Sequence, residues 1–155
     1  GQYFQGDNIE LGDKPWKGTV ESVGLRRTVV RAVDGTVYSI SNGELRSVAN
    51  RTRIYAAGEV RVRGIRQGDL DAVARIMDKV GQEVAADPAF ADSVIEAPRL
   101  AFVDEPDELG GVAVMRGKVV AADRWRVSTE LRLRLDRALK QEGIVLDRLV
   151  LRGGR

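Results

Sequence analysis

The sequence predicts a mixed α and β protein in two parts, a small β-barrel domain over residues 1–52 and an α+β domain over residues 53–155. Three observations carry this reading. The first part holds short, alternating, β-branched runs separated by glycine and asparagine turns. The pattern changes near Arg51. From Tyr55 onward the runs read β-α-β-β-α-β, with helical apolar spacing in two long stretches.

In the first part, Asn8-Ile9-Glu10-Leu11 is a short strand between Gly6-Asp7 and Gly12-Asp13. Apolar and polar residues alternate in Thr19-Val20-Glu21-Ser22-Val23, and Gly24 interrupts them. Thr28 to Val33 is β-branched and ends at Asp34-Gly35, a hairpin signal in which positive backbone dihedrals are expected. Thr36 to Ile40 resumes the strand pattern and Ser41-Asn42-Gly43 stops it. Four short strands in so little chain predict a sheet that curls to cover its own edges.

In the second part, Tyr55 to Arg63 is a strand with Val60 and Val62 on one face. Asp69 is the expected N-cap of a helix whose buried stripe is Leu70, Val73, Met77, Val80 and Val84, ended by Asp87-Pro88. Val94 to Val103 and Val112 to Ala122 are strands, joined by a solvated acidic loop over residues 104–111. Asp123 is the expected cap of a second helix, with Trp125, Leu131, Leu135, Ala138 and Leu139 buried and Gly143 as its C-terminal glycine. Ile144 to Leu151 is a closing strand. This order is that of a ferredoxin-like layer.

Composition removes most chemistry. The 155 residues include no Cys and no His, so disulfides, thiolate metal sites, cysteine nucleophiles and histidine acid–base catalysis are excluded. The 25 basic and 23 acidic side chains leave a net charge of +2. Eight basic and six acidic residues precede Ile54, too slight an excess to mark a phosphate-binding surface. Apolar runs reach four residues, against about 20 for a membrane-spanning helix. The carboxylates of residues 104–108 lack the spacing of a calcium loop, and neither GxGxxG nor GxxxxGK[ST] occurs. Arg26, Arg27 and Arg31 lack interleaved aromatics on which bases would stack. No enzyme activity and no cofactor are expected.

The spaced residues of the first part form a more specific pattern. Phe4-x-Gly6-Asp7-x-Ile9 is followed by Gly18-Thr19-Val20-Glu21-x-Val23-Gly24-Leu25-Arg26-x-Thr28, then Arg31-x-x-Asp34-Gly35, Ile40-Ser41-Asn42-Gly43-x-Leu45 and Asn50. This resembles the β-domain of the small-conductance mechanosensitive ion channel (MscS) family, and the remainder is similar to that family's α/β domain in element order. Ser41 stands where the family has proline, and Gly143-Ile144-Val145-Leu146-Asp147 departs from the family's Gly-Ile-x-Ile-Pro-Phe-Pro. The motif residues have architectural meanings: Gly6-Asp7 turns the chain into its first strand, Gly18 permits close approach, Gly24 bends the next strand, and Asn42 and Asn50 bond backbone where strands give way to loop.

The resemblance implies an Sm-like β-domain in a cage on the cytoplasmic side of the cell membrane. That cage would be assembled from identical subunits, seven in the full-length protein, and would pass ions and osmolytes. Membrane helices upstream of Gln2 would hold the pore and gate. The isolated chain is then expected to associate weakly or remain monomeric. The competing class is an Sm-like nucleic-acid-binding module. The many spaced matches favour the channel, and no specific RNA binding is expected at physiological salt.

Overall fold

The computed structural model describes residues 3–12, 14–51 and 53–147. Seven strands join in the order β4-β3-β2-β1-β5-β7-β6, with three α-helices. The fold is therefore mixed α and β. The chain divides into two compact units, residues 1–57 with 118–125, and residues 58–117 with 126–155.

The first unit contains β1 (Asn8–Leu11), β2 (Lys17–Val23), β3 (Arg27–Arg31), β4 (Val37–Ser41), α1 (Asn42–Arg51) and the start of β5 (Ile54–Ile65). Every strand pairing in this unit is antiparallel, and β1 lies between β2 and β5. Alternation does the folding: Ile9, Leu11, Val20, Val30, Ile40, Ile54 and Ala56 point inward and pack with Leu45 and Val48 of α1. Between Val20 and Ser22 the β2–β3 register shifts, so Glu21 is the extra residue of a β-bulge. The bend expected at Gly24 thus sits three residues earlier, because an inserted residue increases twist and curvature locally. Gly24 instead closes the β2–β3 turn, its N–H donating to the Arg27 carbonyl at 2.8 Å.

The β3–β4 hairpin also differs from expectation. Gly35 has φ +91°, but Asp34 does not share the positive dihedral. Gly35 N–H donates to the Ala32 carbonyl and Ala32 N–H to the Thr36 carbonyl, which makes a three-residue loop ending in a left-handed glycine. Asp34 braces it by accepting the Thr36 N–H at 3.0 Å.

Helix α1 was not anticipated, since Ser41-Asn42-Gly43 reads as a strand stop. Ser41 Oγ accepts the Glu44 N–H at 3.1 Å, which is half of a capping box. The S-x-x-E spacing was the available signal. Ser41 therefore starts a helix at the corner where proline was the expected residue.

The second unit holds the rest of β5, α2 (Leu70–Ala86), β6 (Val94–Asp107), most of β7 (Gly110–Val120) and α3 (Arg124–Gln141) from its third residue. Its buried side chains include Val60, Val62, Val73, Met77, Val80, Val84, Val114, Met115, Leu131 and Leu135. Helix α2 packs on β6 and ends before Asp87-Pro88 as predicted. Asp69 occupies the N-cap position without a side-chain cap bond, and only its carbonyl engages the helix, accepting from Val73 N–H at 2.9 Å.

The acidic stretch is less of a loop than expected. Strand β6 runs through Asp107, and only Glu108 and Leu109 separate it from β7. Asp104 and Asp107 are held by Arg61 and Arg63 of β5 at 2.9 and 2.6 Å, which removes the charge repulsion that argued for a solvated loop.

A 3-10 turn, Ala121–Asp123, precedes α3 and places Asp123 ahead of the helix. That phase buries Val127, Leu131, Leu135 and Leu139, four residues apart, and turns Trp125 to the opposite face, where it is 62% exposed. The expected inward Trp125 is replaced by Arg124, which is 4% exposed. At the other end, Gly143 N–H donates to the Lys140 carbonyl and Ile144 N–H to Leu139, the Schellman pattern expected of a C-terminal glycine. Residues 144–147 of the predicted closing strand are irregular, with Asp147 N–H bonded to the Gly64 carbonyl at 2.7 Å. Residues 148–151 of that strand lie outside the described residues.

The ion pairs set an acid limit on stability. Asp104 lies below the usual carboxylate range chiefly because Arg61 donates to it, Asp107 because Arg63 does, and Glu142 because Arg75 does. Asp87 is lowered first by the Ala89 N–H and then by Arg134. A carboxyl whose pKa is depressed by folding stabilises the fold above its unfolded value, about 4, and loses that contribution as pH falls through the folded value. With no His in the chain, the urea midpoint is expected to be flat from pH 7 to about 5 and to drop below about 4. Asp104→Asn with Asp107→Asn should shallow that drop. A midpoint that rises on acidification would contradict the assignment.

Candidate functional site

The motif residues are not scattered evenly over the first unit. One group gathers around the β2–β3 turn, and Asn42 organises it. Asn42 Nδ2 donates to the Gly24 carbonyl at 2.9 Å, its Oδ1 accepts from Thr28 Oγ1 at 2.8 Å, and its backbone N–H donates to the Arg26 carbonyl at 2.7 Å. Thr28 is fully buried, so the Asn42 amide supplies the acceptor its hydroxyl needs away from water. One asparagine thereby ties the turn to the first residue of α1.

A second group lies where the chain enters β1. Gly6 N–H donates to the Val20 carbonyl at 2.8 Å, and Val20 N–H returns to the Asp7 carbonyl at 2.7 Å. Asp7 Oδ2 accepts the Phe4 N–H at 2.5 Å and also meets Arg124 Nη1. The Arg124 guanidinium lies 4.9 Å from the Phe4 ring and 5.2 Å from the Trp125 ring, with Asp7 as its counter-ion. Sequence reasoning found Asp7 but not Arg124, because the partners are 117 residues apart and no local pattern links them.

The remaining motif residues have separate places. Gly18 is buried where a Cβ would lie 2.1 Å from the Arg31 carbonyl oxygen, so close strand approach is its role. Glu21, on the bulge, forms a two-point pair with Arg31, at 2.6 and 3.3 Å. This exposed pair holds the Arg31 guanidinium above its ordinary pKa, chiefly through the hydrogen bond. Asp34 and Gly35 form the β3–β4 turn described above. Leu25 is fully exposed and Arg26 is exposed beside it. Asn50 is exposed on α1, in the wall of a shallow cleft with Ala49, Arg51, Arg53, Ile54, Val120 and Ala122.

None of this is catalytic geometry. The carboxylates of Asp7, Glu21 and Asp34 each face a backbone N–H, a cation or both. Among the described residues no group of three or more His, Cys, Asp or Glu residues is placed to hold a metal ion. No helix of the described residues is long and apolar enough to cross a membrane. What the arrangement does is fix the chain path at the head of a small sheet.

The family model for the mechanosensitive ion channel β-domain matches residues 1–53. Over those residues the chain is similar to a mechanosensitive ion channel β-domain. The β-domain contains both hydrogen-bonded groups except Arg124 and Trp125, and the resemblance carried by Gly6-Asp7 through Asn50 is borne out. Beyond it, the chain is 25% identical over 143 residues to the small-conductance mechanosensitive channel of Caldanaerobacter subterraneus subsp. tengcongensis, covering 92% of this chain and 49% of that protein. Among solved structures, the cryo-EM structure of Arabidopsis thaliana MSL1 is 16% identical with a TM-score of 0.46, covering 95% of this chain and 53% of that one. A second, of wild-type AtMSL1, is 16% identical with a TM-score of 0.42, covering 95% and 52%. The chain thus spans about half the length of the curated relative it matches.

Proposed function

We propose that this chain is the cytoplasmic cage portion of a mechanosensitive channel of the small-conductance family. Its β-domain would be an Sm-like unit over residues 1–52 and its remainder a ferredoxin-like domain over residues 53–155. The observation that carries the reading is that the similarity to the curated channel runs over 143 residues, well past the β-domain match. The strand order β5-β7-β6 with α2 and α3 agrees with a ferredoxin-like layer whose fourth strand would add beside β5. The motif residues would serve as architecture: Asn42, Thr28 and Gly24 hold the β2–β3 turn, and Gly6 and Asp7 hold the lead-in to β1.

In this reading the cage is a closed ring of identical subunits, seven by family analogy, joined to the membrane by upstream helices and passing ions and osmolytes when tension opens the pore. The membrane helices would concentrate the subunits, so the parent protein should be a stable ring while the isolated chain associates weakly. Light scattering with size-exclusion chromatography on the full-length parent in mild detergent tests this, alongside patch recordings under suction. A ring mass with tension-gated current is the expected result. A parent that stays monomeric or dimeric, or that passes no current under tension, overturns the reading.

A further inference from the structure

We propose that Asp7 and Arg124 form a latch, a local closure that holds the leading segment Phe4–Asp7 against the first turn of α3 and opens without unfolding the sheet beneath it. The inference stands on the geometry alone and does not require the channel reading.

The closed arrangement is tight in charge and loose in area. The Arg124 side chain is 5% exposed and that of Asp7 20%, so the pair is largely out of water. Yet the two aromatic rings that cover the guanidinium remain open to solvent, Phe4 at 48% and Trp125 at 62%. Their centroids are 6.1 Å apart at a 57° tilt, a contact with little buried area to lose. Swinging Phe4 aside therefore uncovers the cation at small hydrophobic cost.

The hydrogen bonding is also incomplete in the closed state. An arginine and a carboxylate can make two parallel bonds, but here one oxygen, Asp7 Oδ2, takes both Arg124 Nη1 and the Phe4 N–H. Arg124 Nε is buried with no hydrogen-bond partner among the described residues. A buried, unsatisfied donor opposes closure, and opening returns that N–H to water. The attraction of the pair and the two cation–ring contacts favour closure. The two tendencies oppose each other at one residue, which is the condition for a closure that opens readily.

The sheet has its own ties. Gly6 N–H to Val20 and Val20 N–H to Asp7 are backbone bonds that do not pass through either side chain. Opening at Phe4 therefore leaves β1 paired with β2. The segment that moves is Phe4–Gln5, released by the Asp7 and Arg124 side chains together with the Asp7 N–H bond to the Phe4 carbonyl, 3.0 Å, while Tyr3 stays packed on the core cluster.

Native-state hydrogen exchange of this chain in sub-denaturing urea separates a latch from a structural rivet. The Phe4 amide, bonded to Asp7 Oδ2, is expected to be protected, to exchange through an opening nearly independent of urea, and to be at least about tenfold less protected than the Val20 amide. Asp7→Asn keeps the shape and removes the charge. It should lower Phe4 protection by about tenfold while leaving Val20 and Val30 protection and the urea midpoint nearly unchanged. In a Trp16→Phe background the same change should alter Trp125 emission, since the cation leaves its ring. Three results overturn the proposal: a Phe4 amide with no protection, a Phe4 amide whose exchange rises with urea as steeply as that of Val20, or an Asp7→Asn effect of equal size at Phe4 and Val20. The wild-type urea series decides even if the variant folds poorly.

Discussion

Gly81→Ala is expected to destabilise the second unit by about 3 kcal/mol or more. In an exposed helix the same change would be favourable by up to about 1 kcal/mol, because alanine is the better helix former. Here the sign reverses. Gly81 lies on the buried face of α2, and a Cβ built on it would sit 1.6 Å from the Pro98 carbonyl oxygen and 2.6 Å from its carbon. Both atoms are backbone of β6, so no side chain can swing away. Gly117 of β7 approaches the same proline, with a would-be Cβ 2.8 Å from Pro98 Cα. Pro98 is thus gripped between two glycines, and neither α2 nor β7 can retreat without uncovering Val80, Val84 or Met115, all within 1% of full burial. Urea denaturation followed by circular dichroism measures the loss. A Gly81→Ala chain as stable as the parent would show that α2 does not sit this close to β6.

Leu11→Ala should cost the first unit about 3 to 4 kcal/mol. Leu11 is fully buried and belongs to the apolar cluster that also holds Ile9, Val20, Val30 and Ile54. Its neighbours Ile9, Val20, Ile54 and Ala56 are fixed on strands and collapse poorly into the space a lost isobutyl group leaves. Leu25→Ala is the matched control. Leu25 is as exposed as a free side chain, so its truncation should change stability by less than about 0.5 kcal/mol in the isolated chain. Equal losses at the two leucines would mean that Leu25 is covered in solution.

The seven strands and both long helices were legible because their signals are local, whereas the closing strand expected from Ile144 is irregular over residues 144–147. Alternation in Asn8–Leu11 and Thr28–Val30, the stripe from Val73 to Val84, and the glycine after α3 each declare themselves within a few residues. The errors arose where a local signal had two readings or none. Ser41-Asn42-Gly43 suits a turn as well as a helix start, and only the Glu44 three residues on separates them. Trp125 is apolar and near an apolar stripe, but its phase depends on the 3-10 turn that sets where α3 begins. The acidic run from Asp104 looks solvated until Arg61 and Arg63 are brought across from β5.

The motif residues of the β-domain were found as a pattern, and their chemistry was only partly foreseen. Asn42 was expected to bond backbone and does so, but its grip on the Thr28 hydroxyl follows from burial that the sequence does not display. Asp7 was read as a turn residue, whereas its carboxylate is the anchor for a cation from the far end of the chain. Long-range electrostatic partners leave no periodicity behind them. They become visible only when the fold brings them together.

The outer strand β6 bears on how the chain avoids aggregation. It is 14 residues long, lies at one end of the strand order and carries Ile95, Phe102 and Val103 in exposed positions, the profile of a segment that recruits other chains into β-structure. Its backbone donors have been withdrawn at intervals. Pro98 and Pro106 have none, Leu100 N–H is taken by the Asp78 carboxylate of α2 at 2.8 Å, and Glu105 N–H by Asp104 at 2.8 Å. At positions 98 and 100 helix α2 lies against the strand, with Pro98 buried and the Leu100 N–H already bonded, so an incoming chain finds no free donor there. Along β6 the main chain itself thus offers fewer donors to a pairing strand, whatever the charge of its surface.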